Sequence, residues 1–149
     1  MSENVKEDKN LLLKDLCARL PYGVKVDVIY SKDSGSSLRA RLCSEGINIL
    51  DINILGLFQQ SEIYIKPYLF PLSSMTEEQY NSLYESGILN NCSHSYEYVN
   101  PHIYGVSFIF KQFKTYSLEL IEWLNKNHFD YRGLIEKGLA INCTNLNIY

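Results

Sequence analysis

Long apolar runs are missing from this chain. No window approaches the ~18 uninterrupted apolar residues of a membrane span. The first ten residues, MSENVKEDKN, carry charges where a signal peptide has its apolar core, so secretion and membrane insertion are not expected. Cysteine is sparse and scattered: Cys17, Cys43, Cys92 and Cys143 form no CxxC pair, which reads as buried thiols of a cytosolic protein rather than a disulfide framework. A glycine-rich phosphate loop, HExxH and Gly-x-Ser-x-Gly are all absent, and with them the usual signals for nucleotide, zinc-peptidase and serine-hydrolase chemistry. No basic run exists either. The net charge of −3 speaks against a dedicated nucleic-acid binder, and the C-terminal half carries that excess: residues 1–75 hold nine basic and nine acidic residues, residues 76–149 five and eight.

What is present is an ordinary globular composition. With 149 residues, 46% of them hydrophobic and 21% charged, the chain is long enough for one core and reads as a single domain, 1–149, with residues 1–8 flexible. Leu12, Leu13, Leu16, Cys17 and Leu20 form a helical stripe over Asp8–Leu20, ended by the Pro21-Tyr22-Gly23 turn. Three strands are expected next: Val24–Tyr30, Leu38–Cys43 after a Ser31–Ser37 loop, and Ile47–Leu55 after a Ser44-Glu45-Gly46 turn. A slip in the last one's alternation predicts a bulge near Ile49–Leu50. Pro67 and Pro71 confine Ile63–Leu72 to an edge or a path outside the ladder.

The clearest local signal is Thr76 with Gln79 three residues on, a capping box, with Met75 placed to staple against Tyr80 and Gly87 to close the helix. Ile103–Phe110 reads as a strand followed by a helix from about Thr115 that carries Leu120, Ile121, Trp123 and Leu124, or else as the start of one long helix through Val106, Ile109, Phe113, Tyr116, Leu120 and Trp123. Trp123 is expected to be substantially buried. Beyond it come a tight corner, Asp130 as an N-cap, and a short second helical piece through Leu134 and Leu139. Residues Asn142–Tyr149 read as a tail or an added edge strand. The expected fold is therefore α+β: an antiparallel three- to five-stranded meander packed by three or four helices.

Three blocks, KDLCARLPYGVKV, IKPYLFPLSSMTEEQ and WLNKNHFDYRGLIEKGLAI, resemble a family of small proteins from bacterial phages, prophages and other mobile elements. The resemblance implies a cytoplasmic setting in a bacterial host and a mobile-element origin. It brings no activity with it, and hence no catalytic residues.

Candidate chemistry is thin. His128, Asp130 and Arg132 could make a base, its orienting carboxylate and an anion holder; the competing reading is a capped corner with a local ion pair. Cys92, His94 and His102 fall short of the four ligands of a structural zinc site, so neither metal nor other cofactor is expected. Lys25, Arg39 and Arg41 would share one sheet face with Asp27, giving a small basic patch and weak nucleic-acid binding at best. Twelve tyrosines serve cores and protein interfaces alike. The expected function is that of an accessory protein that binds a protein partner, with a nucleic-acid or nucleotide binder and a small hydrolase built on His128, Asp130 and Arg132 as the alternatives.

Overall fold

The computed structural model describes residues 2–32, 41–60, 63–91, 105, 110 and 115–149, with backbone alone at 31–32, 41–45 and 90–91. The fold is α+β. Among the described residues there are four α-helices and a five-stranded mixed sheet, mostly antiparallel. Two compact units divide the chain: residues 1–69 with 132–149, and residues 70–131.

The first unit begins with helix α1, Glu3–Arg19, which starts five residues before Asp8. Its buried stripe is Leu12, Asp15, Leu16 and Arg19, at the i, i+3, i+4, i+7 spacing of one helix face. Leu13 and Cys17, expected on that stripe, are exposed. Leu20–Tyr22 tightens into a 3₁₀ turn, and Gly23 at φ +64° sends the chain into strand β1, Lys25–Lys32. Val24, Val26 and Val28 face α1 from the sheet and join Leu12, Leu16, Leu50, Ile65, Leu69 and Leu134 in an aliphatic core. Each such side chain contributes roughly 1.5–3 kcal/mol when fully buried.

Strand β2, Arg41–Ile49, corrects two expectations. Ser44-Glu45-Gly46 is not a turn between strands but part of one strand. The register passes from Ile29↔Ser44 to Asp27↔Ile47, so two residues of β2, Glu45 and Gly46, oppose Val28 alone. This bulge, with Gly46 at φ +88°, stands where the turn was expected, four residues ahead of Ile49–Leu50. Nor does Ile52–Leu55 continue a strand. Asp51 accepts a hydrogen bond from the Ile54 amide at 2.8 Å and caps a short helix α2, Ile52–Gly56.

The third strand of the sheet is instead β3, Ile63–Pro71, which pairs antiparallel with β1 and makes the order β2-β1-β3 rather than that of a meander. Pro67 lies opposite Val26 at the last rung of that ladder. A proline cannot donate, so Pro67 turns its backbone away from β1, and by alternation so do Ile63 and Ile65, while Tyr64 and Lys66 turn theirs toward it. The proline fits the ladder because no hydrogen bond is asked of it there. Strand β5, Ile141–Asn142, joins β3 in parallel at Tyr68 and Leu69; of the expected Asn142–Tyr149 only Asn142 belongs to it, and the remainder is not a strand.

In the second unit the last two residues of β3, Phe70 and Pro71, pair in parallel with β4, Phe129–Asp130. Helix α3, Glu77–Glu85, carries the reciprocal capping box: the Gln79 amide donates to Thr76 Oγ1 at 3.2 Å and the Thr76 amide to Gln79 Oε1 at 2.9 Å. Met75 and Tyr80 are buried in one cluster, and Gly87 at φ +76° follows the helix end. Helix α4, Leu118–Lys126, is capped by Ser117 and buries Leu120 and Leu124. Trp123 is half-buried, stacked on Phe129 with ring centroids 5.8 Å apart. Of the expected strand at Ile103–Phe110 only Gly105 and Phe110 are described, and neither is in a strand: Gly105 belongs to no element and Phe110 is helical.

Candidate functional site

The corner that opens at His128 has a different build from the one expected. Asn127 ends α4 and His128 takes the left-handed conformation at φ +61°, a position usually filled by glycine or asparagine. Its carbonyl accepts the Phe70 amide at 2.9 Å. Asp130 then sits in β4, its backbone in register with Pro71, and residues 131–139 run through turns instead of a second helix. With no helix after it, Asp130 is not an N-cap. Gly133 and Gly138, both near φ +72°, shape those turns, and the Leu134 carbonyl accepts the amides of Leu139 and Ala140 at 2.8 and 3.2 Å.

Arg132 is engaged elsewhere. Its guanidinium stands 3.2 Å from the Asp15 carboxylate, whose other oxygen accepts a 2.7 Å hydrogen bond from Arg19 Nε. Asp15 and Arg19 are fully buried and Arg132 nearly so, with 17% of its side chain exposed. One carboxylate thus serves two guanidiniums inside the first unit. The signal for it was in the sequence as an i, i+4 Asp–Arg pair, a spacing that ordinarily marks a solvent-facing ion pair. Buried as it is, this cluster ties α1 to the segment after Arg132 and offers no access to a substrate.

The basic patch fares no better. Lys25 is opposite Ile49 and Arg41 opposite Lys32, seven residues apart along β1, or about 23 Å at strand rise. Asp27 has Ile47 and Lys66 as its register partners, and the expected approach of Asp27 to Arg39 or Arg41 lies outside the described side chains. Arg39 lies outside the described residues, as do Cys92, His94 and His102. Among the described residues no three His, Cys, Asp or Glu side chains gather as a metal site would need. No helix among them is long and apolar enough to cross a membrane.

Lys25 belongs instead to a lock made by the end of the chain. Its Nζ donates to the Ile148 carbonyl and stands 5.5 Å from the centre of the Tyr149 ring. The Tyr149 hydroxyl accepts the Lys25 amide at 2.8 Å and donates to the Tyr68 carbonyl at 3.0 Å, bridging β1 and β3 one rung past Pro67. Burial of the hydroxyl is the main cause that pushes the Tyr149 pKa well above the ordinary tyrosine range. Burial also raises the Tyr68 hydroxyl, helped by the Asp27 charge, and lifts the Cys143 thiol to about 11.

The feature of the first unit best suited to take a ligand is a groove between the N-terminal half of α1 and β3. It encloses about 430 Å³. Leu12, Phe58, Ile65 and Leu139 line its apolar interior; Val5 and Tyr64, 52% and 53% exposed, form its mouth. Three charges stand around it. Asp8 is paired with Lys137 at 2.9 Å, Lys9 lies 5.5 Å from the centre of the Phe58 ring, and Lys66 comes from β3. None of these residues was singled out from the sequence as a site. The groove arises where α1 extends N-terminal of Asp8, and Phe58 enters it from the 3₁₀ turn Leu57–Gln59 that follows α2.

No protein-family model, no curated protein and no solved structure matches the chain.

Proposed function

We propose that this chain is an accessory protein of a phage or mobile element that works in the cytoplasm of a bacterial host by binding a protein partner, and that the α1–β3 groove is where the partner binds. The carrying observation is the groove itself: a volume within the range of ligand sites, an apolar interior, and two large apolar side chains exposed at its mouth. Catalysis is not favoured. Arg132 is committed to Asp15, and the groove holds no nucleophile or histidine beside its two lysines and one aspartate.

The test is capture followed by reconstitution. Tagged protein is used to retain a partner from host extract, the partner is identified and purified, and its affinity is measured for the wild type and for Val5→Glu and Tyr64→Glu. Both positions are more than half exposed, so the variants should fold. Loss of binding in both supports the reading. Unchanged affinity in both removes the groove from it, and sub-micromolar binding of an oligonucleotide at near-physiological salt would replace it with the nucleic-acid alternative.

A further inference from the structure

We infer that the occupant of the groove is an extended peptide of alternating acidic and apolar character, added as a strand to the open edge of β3. The inference rests on the groove being the binding site and adds what kind of segment it takes. Four consecutive residues of β3, Ile63 to Lys66, line the groove. Successive side chains of a strand point to opposite faces, so a run of four neighbours can line one cavity only where the cavity runs along the strand's edge. One edge of β3 is taken by β1. The groove therefore follows the other.

Backbone geometry says what that edge presents. Because Pro67 turns away from β1, Ile63, Ile65 and Pro67 direct their backbone groups into the open edge. The Ile63 amide reaches the Gln60 carbonyl at 3.4 Å. That leaves the Ile65 amide and the carbonyls of Ile63 and Ile65 without a strand partner among the described residues. Further along the same edge the position is already filled: β5 begins at Tyr68, and the Leu69 carbonyl accepts the Cys143 amide at 3.0 Å. An incoming strand would continue the row that β5 starts, gaining main-chain hydrogen bonds from β3 and seating alternate side chains against Leu12 and Phe58.

Charge selects among such peptides. Among the described residues that line the groove, Asp8 is paired with Lys137, which leaves Lys9 and Lys66 as the unbalanced charges. Two cations beside an apolar slot favour a strand whose outward residues are acidic and whose inward residues are aliphatic, and they disfavour a basic one.

The experiment uses the full chain and a labelled, end-capped hexapeptide of alternating glutamate and valine, with fluorescence anisotropy and amide exchange as readouts. Its alternating lysine–valine counterpart should bind about tenfold or more weakly. N-methylation of the amides on one edge should abolish binding, while methylation of the other edge leaves it intact. The Ile65 amide should gain exchange protection on binding, and the Lys66 amide, which faces β1, should not. Lys9→Glu together with Lys66→Gln should erase the preference for glutamate. Equal binding of both N-methylated peptides, or no added protection at Ile65, would overturn strand addition. So would failure of the peptide to bind while a captured partner still depends on Tyr64, an outcome that leaves the groove reading standing. A captured partner indifferent to both Val5→Glu and Tyr64→Glu would instead fell the groove reading itself.

Discussion

The two units are held together by different chemistry. The first has a core of Leu, Val and Ile between α1 and the sheet, with Phe58 as its one buried phenylalanine, and it encloses an ion cluster of two arginines and an aspartate. The second is built on rings. Tyr80, Phe110 and Phe129 are buried, with Phe70, Tyr84, Tyr116, Trp123 and Tyr131 packed around them. Phe110 meets Tyr116 edge-on at 6.0 Å and Trp123 stacks on Phe129. A sheet supplies its own backbone pairing and needs compact branched side chains to cover it. Among its described residues the second unit has the end of β3, a two-residue β4 and short helices, and large rings supply area that backbone pairing there does not. The contrast also separates two kinds of specificity. Aromatic packing tolerates small shifts, whereas a carboxylate buried between guanidiniums fixes the register of α1 against the segment after Arg132.

The ion cluster is where that contrast is most easily broken. Asp15→Ala should leave Arg19 charged and fully enclosed, and should cost about 3–5 kcal/mol. The measurement is denaturant unfolding followed by two probes: the Cys143 thiol, buried in the first unit, and Trp123 fluorescence in the second. Separated midpoints would mean that the units lose structure independently, and coincident ones that they unfold together. Replacing the pair by Asp15→Leu with Arg19→Met should recover much of the loss, since apolar residues of similar volume remove the desolvation cost.

Leu124→Ala probes the other side. Leu124 has no exposed surface, in contact with the aromatic cluster, and its truncation should cost about 2–4 kcal/mol. Rings that slide to fill the space would bring the value to the low end. Trp123→Phe should cost less than Leu124→Ala although tryptophan is larger, because Trp123 is half-buried and mainly forfeits part of one stack.

How much of this was legible in the sequence differs between the units for physical reasons. The second unit's helices announced themselves through local chemistry: the Thr76–Gln79 box, the apolar stripe of Leu120, Ile121, Trp123 and Leu124, and Gly87 at a helix end. In the first unit the misreadings were non-local. Ile52–Leu55 alternates like a strand, and only the Asp51 cap beside it argued for a helix. Pro67 argued against a ladder position that it fills without cost once β1 lies on its other side. Asp15 and Arg19 carried no signal of their burial, because charge at i, i+4 ordinarily faces solvent. The groove was not legible at all, since it depends on where α1 begins and on which edge of β3 stays open. Asp130 looked like a cap, and became a strand residue because Phe70 and Pro71 offered pairing that its own neighbours did not.

Tyr149→Phe tests the lock at the chain's end. Its hydroxyl serves one amide and one carbonyl, so removing it should cost about 1–2 kcal/mol. The pH dependence has a definite sign. The folded-state pKa of Tyr149 is raised above the ordinary 10.0, so its contribution is fully present below pH 10 and is lost as pH rises beyond it. Cys143, raised from 9.0 to about 11, adds a loss of the same sign that begins near pH 9 and is complete near pH 11. The variant should therefore be less stable than the wild type at neutral pH, with the gap closing above pH 10 while a slope from Cys143 remains. A gap that stays constant to pH 11 would show that the hydroxyl is not held in its protonated form by burial.

The smallest effect belongs to Thr76. Thr76 Oγ1 accepts the Gln79 amide while Gln79 Oε1 accepts the Thr76 amide, so Thr76→Ala removes the first bond and leaves the second, which uses the backbone of residue 76, in place. The expected loss is about 1 kcal/mol, and Thr76→Ser should restore most of it because the hydroxyl alone does the capping. Where the loss registers is the sharper question. Met75 and Tyr80, on either side of the cap, are buried in the aromatic cluster, so a loosened first turn of α3 should lower the Trp123 fluorescence midpoint. The same midpoint shift should appear in the Cys143 signal only if Asp15→Ala has already shown the two units to unfold as one. A Thr76→Ala variant that moves the thiol midpoint and leaves the fluorescence midpoint in place would contradict the assignment of α3 to the aromatic unit.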